Sequence, residues 1–293
     1  MDINRKKLAI GTVQFGVNYG IANNSGKINY NEAKSILEYA KNVGTDTLDT
    51  AILYGDSEST LGKIGVENWN VISKIPPLPN NCVDVTNWLN ECITSSLERL
   101  KLNQLYALLL HNANDLLGIH GDIIYKTLKG FQEKGVIVKI GVSIYDPEQL
   151  EEILKLYNLD IVQAPMNILD RRLINSGWLN KLNQMNIEVH IRSVFLQGLL
   201  LMEADLRPNY FNTWNLLWLE YENIIKAKRI SRLELCIRYI LSFKEINKIV
   251  IGLDSLKHFK EIHNTILKSP ITLNEKLDCN DLNLINPTNW KIN

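Results

Sequence analysis

A surplus of charge of either sign is missing from this sequence. Its 293 residues carry 32 Lys and Arg against 32 Asp and Glu, so no global field recruits nucleic acid or an anionic membrane, and polyanion binding is set aside as the main function. Long apolar runs are missing too. No stretch approaches the roughly 18 residues of a membrane span, and the start MDINRKKLAIGTVQFG is broken by Gln14 and Gly16 before it could serve as a secretion signal. A soluble, cytoplasmic protein with no membrane partner is expected. Cysteine is sparse: Cys82, Cys92, Cys236 and Cys279 form no CxxC pair, so neither a zinc site nor a disulfide framework is expected, and the thiols read as buried or half-buried. The 5 histidines show no HxxxH or HExxH spacing, and no metal is expected. A GxGxxG fingerprint is also absent.

What is present is alternation. Short β-branched or apolar runs take turns with helical patterns from one end to the other: KLAIGTVQF, TDTLDTA, WNVISKI, LYALLLH, KIGVSIY, DIVQAPMN, IEVHIRSVF and KIVIGL read as eight strands. Between them lie amphipathic helices such as INYNEAKSILEYAKNVG, ending at Gly44, and SRLELCIRYILSF, opened by a capping Ser231. Eight strand-helix alternations without a linker predict one α/β domain over 1–293, a closed parallel (β/α)8 TIM barrel with an outer ring of helices. A doubly wound open sheet is the rival; the first strand-to-helix turn lacks the glycine fingerprint that such a sheet uses for a pyrophosphate. Residues 268–293, rich in Asn, Pro and Asp, are a C-terminal tail that runs over a barrel end or frays.

In such a barrel the chemistry gathers at the carboxyl ends of the strands. The stretch DTAILYGDSESTLG puts Asp49 at the end of strand two and Tyr54 in its loop, while Lys74 closes strand three and His111 strand four. Each has a plainer reading alone: Asp49 as a cap of local backbone donors, Tyr54 as rim packing, Lys74 as a packed stem with a solvated ammonium, His111 as a satisfied core histidine. Four such residues on consecutive strands allow a specific chemistry. An ammonium favours phenolate and lowers the pKa of a nearby phenol, a carboxylate holds that ammonium, and an imidazole fixes a substrate oxygen. The result is a general acid aimed at a carbonyl oxygen, which a reduction by hydride needs; a cofactor must bring the hydride.

With these residues in place the sequence resembles the aldo-keto reductase superfamily over nearly its whole length: IGTVQFG, DTAILYG followed by SE, VISK and LLLHN match in order and spacing. The resemblance implies Asp49, Tyr54, Lys74 and His111 as a catalytic tetrad and NAD(P)H, held in an extended pose without a Rossmann domain, as cofactor. GVS, VQAPMN, RSVFLQGLLL and IGLDSLKHFKEI are similar to the cofactor-gripping segments. They imply Gly11, Thr12, Ser143, Gln163, Arg192, Ser193, Phe195, Gly198, Gly252, Asp254, Ser255, His258 and Glu261 as cofactor residues, with Phe15 and Tyr19 as a substrate wall.

The chain departs from the family pattern at three of these places. Ile144 stands where many members have Asn, so Ser143 and Gln163 would hold the carboxamide. Arg192 stands where many have a stacking aromatic, and can contact a phosphate or an anionic substrate. Asp254 suits ribose hydroxyls, whereas Lys257 and His258 suit a 2′-phosphate; NADPH is the expected cofactor, with NADH as the alternative. RSVFLQGLLL with LLLHN and IGLDS is most similar to members found with bacterial polysaccharide or sugar-nucleotide synthesis, implying a sugar-like carbonyl substrate. Two other classes compete: a cofactor-binding barrel with a regulatory or scaffold role, and a metal-dependent barrel hydrolase, which would need more ligands than Asp49 and His111.

Overall fold

The computed structural model describes residues 3–23 and 25–292; Met1 and Asp2 of the charged start and Asn293 of the tail lie outside them. Eight strands, each paired in parallel with its neighbours, close into a barrel in the order β1 to β8. They are β1 (Leu8–Gly11), β2 (Thr47–Asp49), β3 (Asn70–Ile75), β4 (Leu105–Leu110), β5 (Ile137–Ser143), β6 (Ile161–Pro165), β7 (Glu188–Arg192) and β8 (Lys248–Gly252). The main outer helices are α1 (Tyr30–Asn42), α2 (Ser57–Ile64), α3 (Val85–Leu100), α4 (Gly121–Glu133), α5 (Gln149–Leu156), α6 (Trp178–Gln184), α7 (Asn215–Lys228), α8 (Arg232–Ile240) and α9 (Leu256–Ile266). The (β/α)8 TIM barrel is the fold of this chain.

Local chemistry sets the helices in place. Helix α1 starts where Asn29 Oδ1 accepts the Glu32 N–H at 3.0 Å, and it buries Ala33, Ile36, Leu37 and Ala40, one face at helical spacing. At α8 the expected Ser231 cap is a full capping box: the Ser231 side chain takes the Glu234 N–H, and the Glu234 carboxylate takes the Ser231 N–H. Fully burying one such Ile or Leu is worth roughly 1.5–3 kcal/mol, so packing of these faces on the sheet outweighs the cap, which is worth about 1 kcal/mol.

Two strands end earlier than the sequence pattern suggests. After Gly11 the backbone turns, because Thr12 N–H and Thr12 Oγ1 both donate to the Asp49 carbonyl, at 2.9 and 3.0 Å. Val13–Gly16 then winds into one helical turn. That turn points Phe15 into the core, where it is 0% exposed, so Phe15 is not a substrate wall. After Arg192 the chain enters a tight loop with Ser193, Leu196 and Gln197 at positive φ, a costly conformation for residues with a Cβ.

The parallel pairing places all strand carboxyl ends, and hence Asp49, Lys74, Ser143, Gln163 and Arg192, at one end of the barrel. Near the amino-terminal ends, Glu188 of β7 accepts from Lys139 of β5 and from the Tyr106 hydroxyl, and contacts His190 Nε2 at 3.2 Å. Burial raises the Glu188 pKa, but the bonds from His190 and Lys139 outweigh it and hold the carboxyl down at about 2. The described part of the tail packs on the barrel: Leu277, Leu284 and Ile285 are buried, and the Trp290 ring sits edge-on to Phe211 at 5.0 Å.

Candidate active site

The site is built on one buried ion pair. Lys74, 0% exposed, donates from Nζ to Asp49 Oδ1 at 2.6 Å and to the Thr50 carbonyl at 2.8 Å. The other Asp49 oxygen accepts Gln163 Nε2 at 2.7 Å, and Ser143 Oγ lies 3.4 Å from Gln163 Oε1. Burial pulls the Lys74 pKa down, yet the Asp49 carboxylate beside it more than offsets this, and the net shift is upward. The ammonium is therefore a fixed charge at neutral pH. The amide donor that the sequence reserves for a carboxamide is here engaged by Asp49.

Tyr54 stands above this pair. Its backbone is gripped from two sides, Tyr54 N–H to the Ala51 carbonyl and Ser57 N–H to the Tyr54 carbonyl, both at 3.0 Å. Gly16 makes the close approach: a Cβ there would lie 1.6 Å from the Tyr54 carbonyl oxygen. Gly55, at φ +52, turns the chain away in a conformation that favours glycine. Ser57 Oγ donates within the Thr12 pair of oxygens at 2.8 Å, tying the loop to β1. Glu58, buried, accepts Ser73 Oγ and Ser96 Oγ at 2.6 Å each and Arg99 Nε at 2.8 Å, tying it to the residue before Lys74. The SE pair of the sequence motif thus fastens the Tyr54 loop to both neighbouring strands.

Lys74 Nζ lies 5.1 Å from the Tyr54 ring centroid, and the His111 ring meets Tyr54 edge-on at 5.9 Å and 80°. Sequence reasoning expects Lys74 to lower the phenol pKa. Lys74 does pull it down, but burial is the larger effect and the net shift is upward, so Tyr54 is held as the protonated phenol. Burial, reinforced by the Lys74 and Arg192 cations, pushes His111 down to about 4; the imidazole is neutral at pH 7.

A cleft of about 390 Å³ opens above these groups. Asp49, Tyr54, His111 and Tyr19 line it, as do Gly11, Thr12, Ser143, Gln163, Arg192, Ser193, Phe195, Gly198, Gly252, Asp254 and His258. Four residues implied by the sequence do not. Phe15 is in the core, Ser255 caps α9 by accepting the His258 N–H at 3.1 Å, and Glu261 points to solvent on α9. Lys74 acts from behind Asp49. Sequence reasoning missed Gln14, Asn23, Tyr145, Pro287 and Thr288 on the cleft wall, and Glu32, whose carboxylate accepts the Leu256 N–H at the start of α9 at 2.7 Å.

The lining fits a nicotinamide dinucleotide. Gln14 Oε1, His111 Nδ1 and Asp254 Oδ1 are buried polar atoms of cleft residues without a hydrogen-bond partner, the state of groups that await a ligand's donors or acceptors. Gly11 and Gly252 present bare backbone to the same space. Among the described residues, no three His, Cys, Asp or Glu side chains gather into a possible metal site, and no helix is long and apolar enough to cross a membrane.

Comparison with known proteins identifies the family and the fold. The family model "Aldo/keto reductase family" matches residues 7–276. An uncharacterized oxidoreductase of Bacillus subtilis, YqkF, is 25% identical over 258 residues, covering 79% of this chain and 81% of the relative. The NADH-specific methylglyoxal reductase of Escherichia coli is 34% identical over 118 residues, 38% of this chain and 35% of that protein. In fold, the chain is similar to the holo form of a Bacillus halodurans aldo-keto reductase (TM-score 0.72, 20% identity, covering 91% of this chain and 88% of that one). It is also similar to a glycerol dehydrogenase of Gluconobacter oxydans (TM-score 0.69, 18% identity, again 91% and 88%). The chain belongs to the aldo-keto reductase family and is an NAD(P)H-dependent oxidoreductase acting on a small carbonyl compound.

Proposed function

We propose that this enzyme reduces the carbonyl carbon of a polar, sugar-like small molecule, with Tyr54 as the proton donor. The observation that carries this reading is the buried Lys74–Asp49 pair set beneath Tyr54 and His111 at the mouth of one cleft. The nicotinamide, when bound, supplies the hydride. Tyr54, kept protonated by burial, gives its proton as negative charge grows on the substrate oxygen; the fixed Lys74 ammonium then steadies the phenolate left behind. Asp49 keeps Lys74 charged and aimed, and neutral His111 hydrogen-bonds the substrate oxygen without competing for the proton. Polar groups of Tyr19, Asn23, Gln197 and Thr288 on the cleft wall suit a hydroxyl-bearing substrate.

NADH is the better fit of the two cofactors. The unpartnered Asp254 Oδ1 calls for a donor, which a ribose hydroxyl is and a phosphate is not. A 2′-phosphate at the start of α9 would also meet the Glu32 carboxylate already seated on the Leu256 N–H. Exposed Lys257 and, beside it, His258 in the first turn of α9 weigh on the other side of the balance.

Replacing Tyr54 by Phe tests the proton donor. The expected result, read by single-turnover oxidation of bound NADH with a carbonyl panel, is a loss of about 100- to 10,000-fold in rate with cofactor affinity kept within about twofold, the phenol being outside the cofactor contacts proposed above. Unchanged turnover in Tyr54→Phe would remove Tyr54 from the role.

A further inference from the structure

Arg192 ends β7 inside the cleft, and among the described residues its guanidinium bonds only to neutral acceptors: the Ile144 carbonyl at 3.0 Å and Ser193 Oγ at 3.3 Å. It also lies 4.6 Å from the Tyr145 ring centroid. These contacts hold the side chain in place while using two of the five N–H donors of a guanidinium. A half-buried, ordered guanidinium with donors to spare and no counter-charge matches a planar or tetrahedral oxyanion, which it can grip with two parallel bonds.

The surrounding charges point the same way. Lys74 and Asp49 offset each other, and His111 is neutral at pH 7, so Arg192 leaves this end of the cleft with one uncompensated positive charge. Its field acts on Tyr54, His111 and Tyr19, which places it with the proton donor. Asp254, the other acid of the cleft, faces His258 at 3.8 Å and makes no ion pair with Arg192 among the described residues.

Resting on the reductase reading above, we propose that Arg192 binds a carboxylate or phosphate carried by the carbonyl substrate close to its reacting carbon. The preferred substrates are then oxyanion-bearing carbonyl compounds, the class that includes 2-oxo acids and acidic or phosphorylated sugars. The same guanidinium chemistry could serve the pyrophosphate of the cofactor, and the experiment separates the two.

Calorimetric titration of the purified protein with oxamate and, separately, inorganic phosphate should show saturable binding, tighter for whichever oxyanion the substrate bears. Arg192→Gln should weaken it about 10- to 100-fold, the loss expected for a charged hydrogen-bonded pair, and Arg192→Lys should restore part of it. Oxamate or phosphate should bind equally well to the NADH-loaded protein. In turnover, Arg192→Gln should raise KM for pyruvate about 10- to 100-fold more than KM for uncharged diacetyl. Anion binding that survives in Arg192→Gln, or equal losses on both substrates, overturns the proposal. So does competition between the anions and NADH, which would assign Arg192 to the cofactor. Failure of the wild-type protein to bind any nicotinamide cofactor would strike the reductase reading instead, and the oxamate titration does not depend on it.

Discussion

Replacing Lys74 by Met leaves the Asp49 carboxylate inside the barrel with one donor, Gln163 Nε2 at 2.7 Å, in place of two. The side chains of the pair are 0% and 4% exposed, so water cannot make up the loss. Breaking a buried pair by removing one partner costs about 3–5 kcal/mol, and Lys74→Met should lose that much unfolding free energy. Asp49→Asn should lose a similar amount, since it strands a buried ammonium whose remaining acceptor is the Thr50 carbonyl at 2.8 Å. The double variant removes both charges and nearly preserves volume. Its loss should fall well short of the roughly 6–10 kcal/mol that independent effects would give, with about 1–3 kcal/mol expected. Urea unfolding at pH 7 followed by tryptophan fluorescence, with the four slopes compared for constancy, measures all four corners of the cycle. Additive losses, or single variants that each cost less than about 1 kcal/mol, would refute the argument that Lys74 and Asp49 act as one desolvated unit.

Two further expectations concern pH. Because His111 titrates at about 4 and burial raises Tyr54, kcat/KM for reduction should be level from about pH 5 to 9; a limb near the ordinary histidine value of about 6.5 would contradict the neutral assignment of His111. At the other end of the barrel, Glu188 is held at about 2 against an ordinary 4.5. A depressed carboxyl pKa stabilises the fold fully above the unfolded value, and that stabilisation is lost as pH falls from 4.5 towards 2. Urea midpoints at pH 6 and 2.5 should therefore fall less steeply in Glu188→Gln than in the wild-type protein, and equal slopes would sink this assignment.

Much of the architecture was legible because inward-facing residues and turns repeat eight times, and the Asp49, Tyr54, Lys74 and His111 set because each sits at or just past a strand end. What was not legible depends on where the chain turns. TVQF and SVF keep a strand-like composition, but the bonds from Thr12 to the Asp49 carbonyl and the positive φ of Ser193 end those strands early. That is why Phe15, an aromatic in the right loop, faces the core and not the cleft. The net rise of the Tyr54 pKa was hidden for a related reason: a sequence shows the neighbouring cation but not the depth of burial. Glu32 reaches the start of α9 across 224 residues of sequence, and Pro287 and Thr288 reach the cleft from a polar tail; no local pattern encodes either approach. Ser255 reads as a ligand contact in the motif, yet its hydroxyl oxygen serves the helix it begins.

Calorimetric titration of the wild-type protein with NADH and, separately, NADPH decides whether Asp254 and Glu32 shape the adenosine end of a nicotinamide site. NADH should bind saturably, with NADPH weaker by about tenfold or more, since a 2′-phosphate set against two carboxylates costs at least about 1.4 kcal/mol. NADPH binding as tightly as NADH would contradict the roles given to Asp254 and Glu32, and binding of neither would leave Tyr54, Lys74, Asp49 and His111 without the cofactor that their chemistry requires.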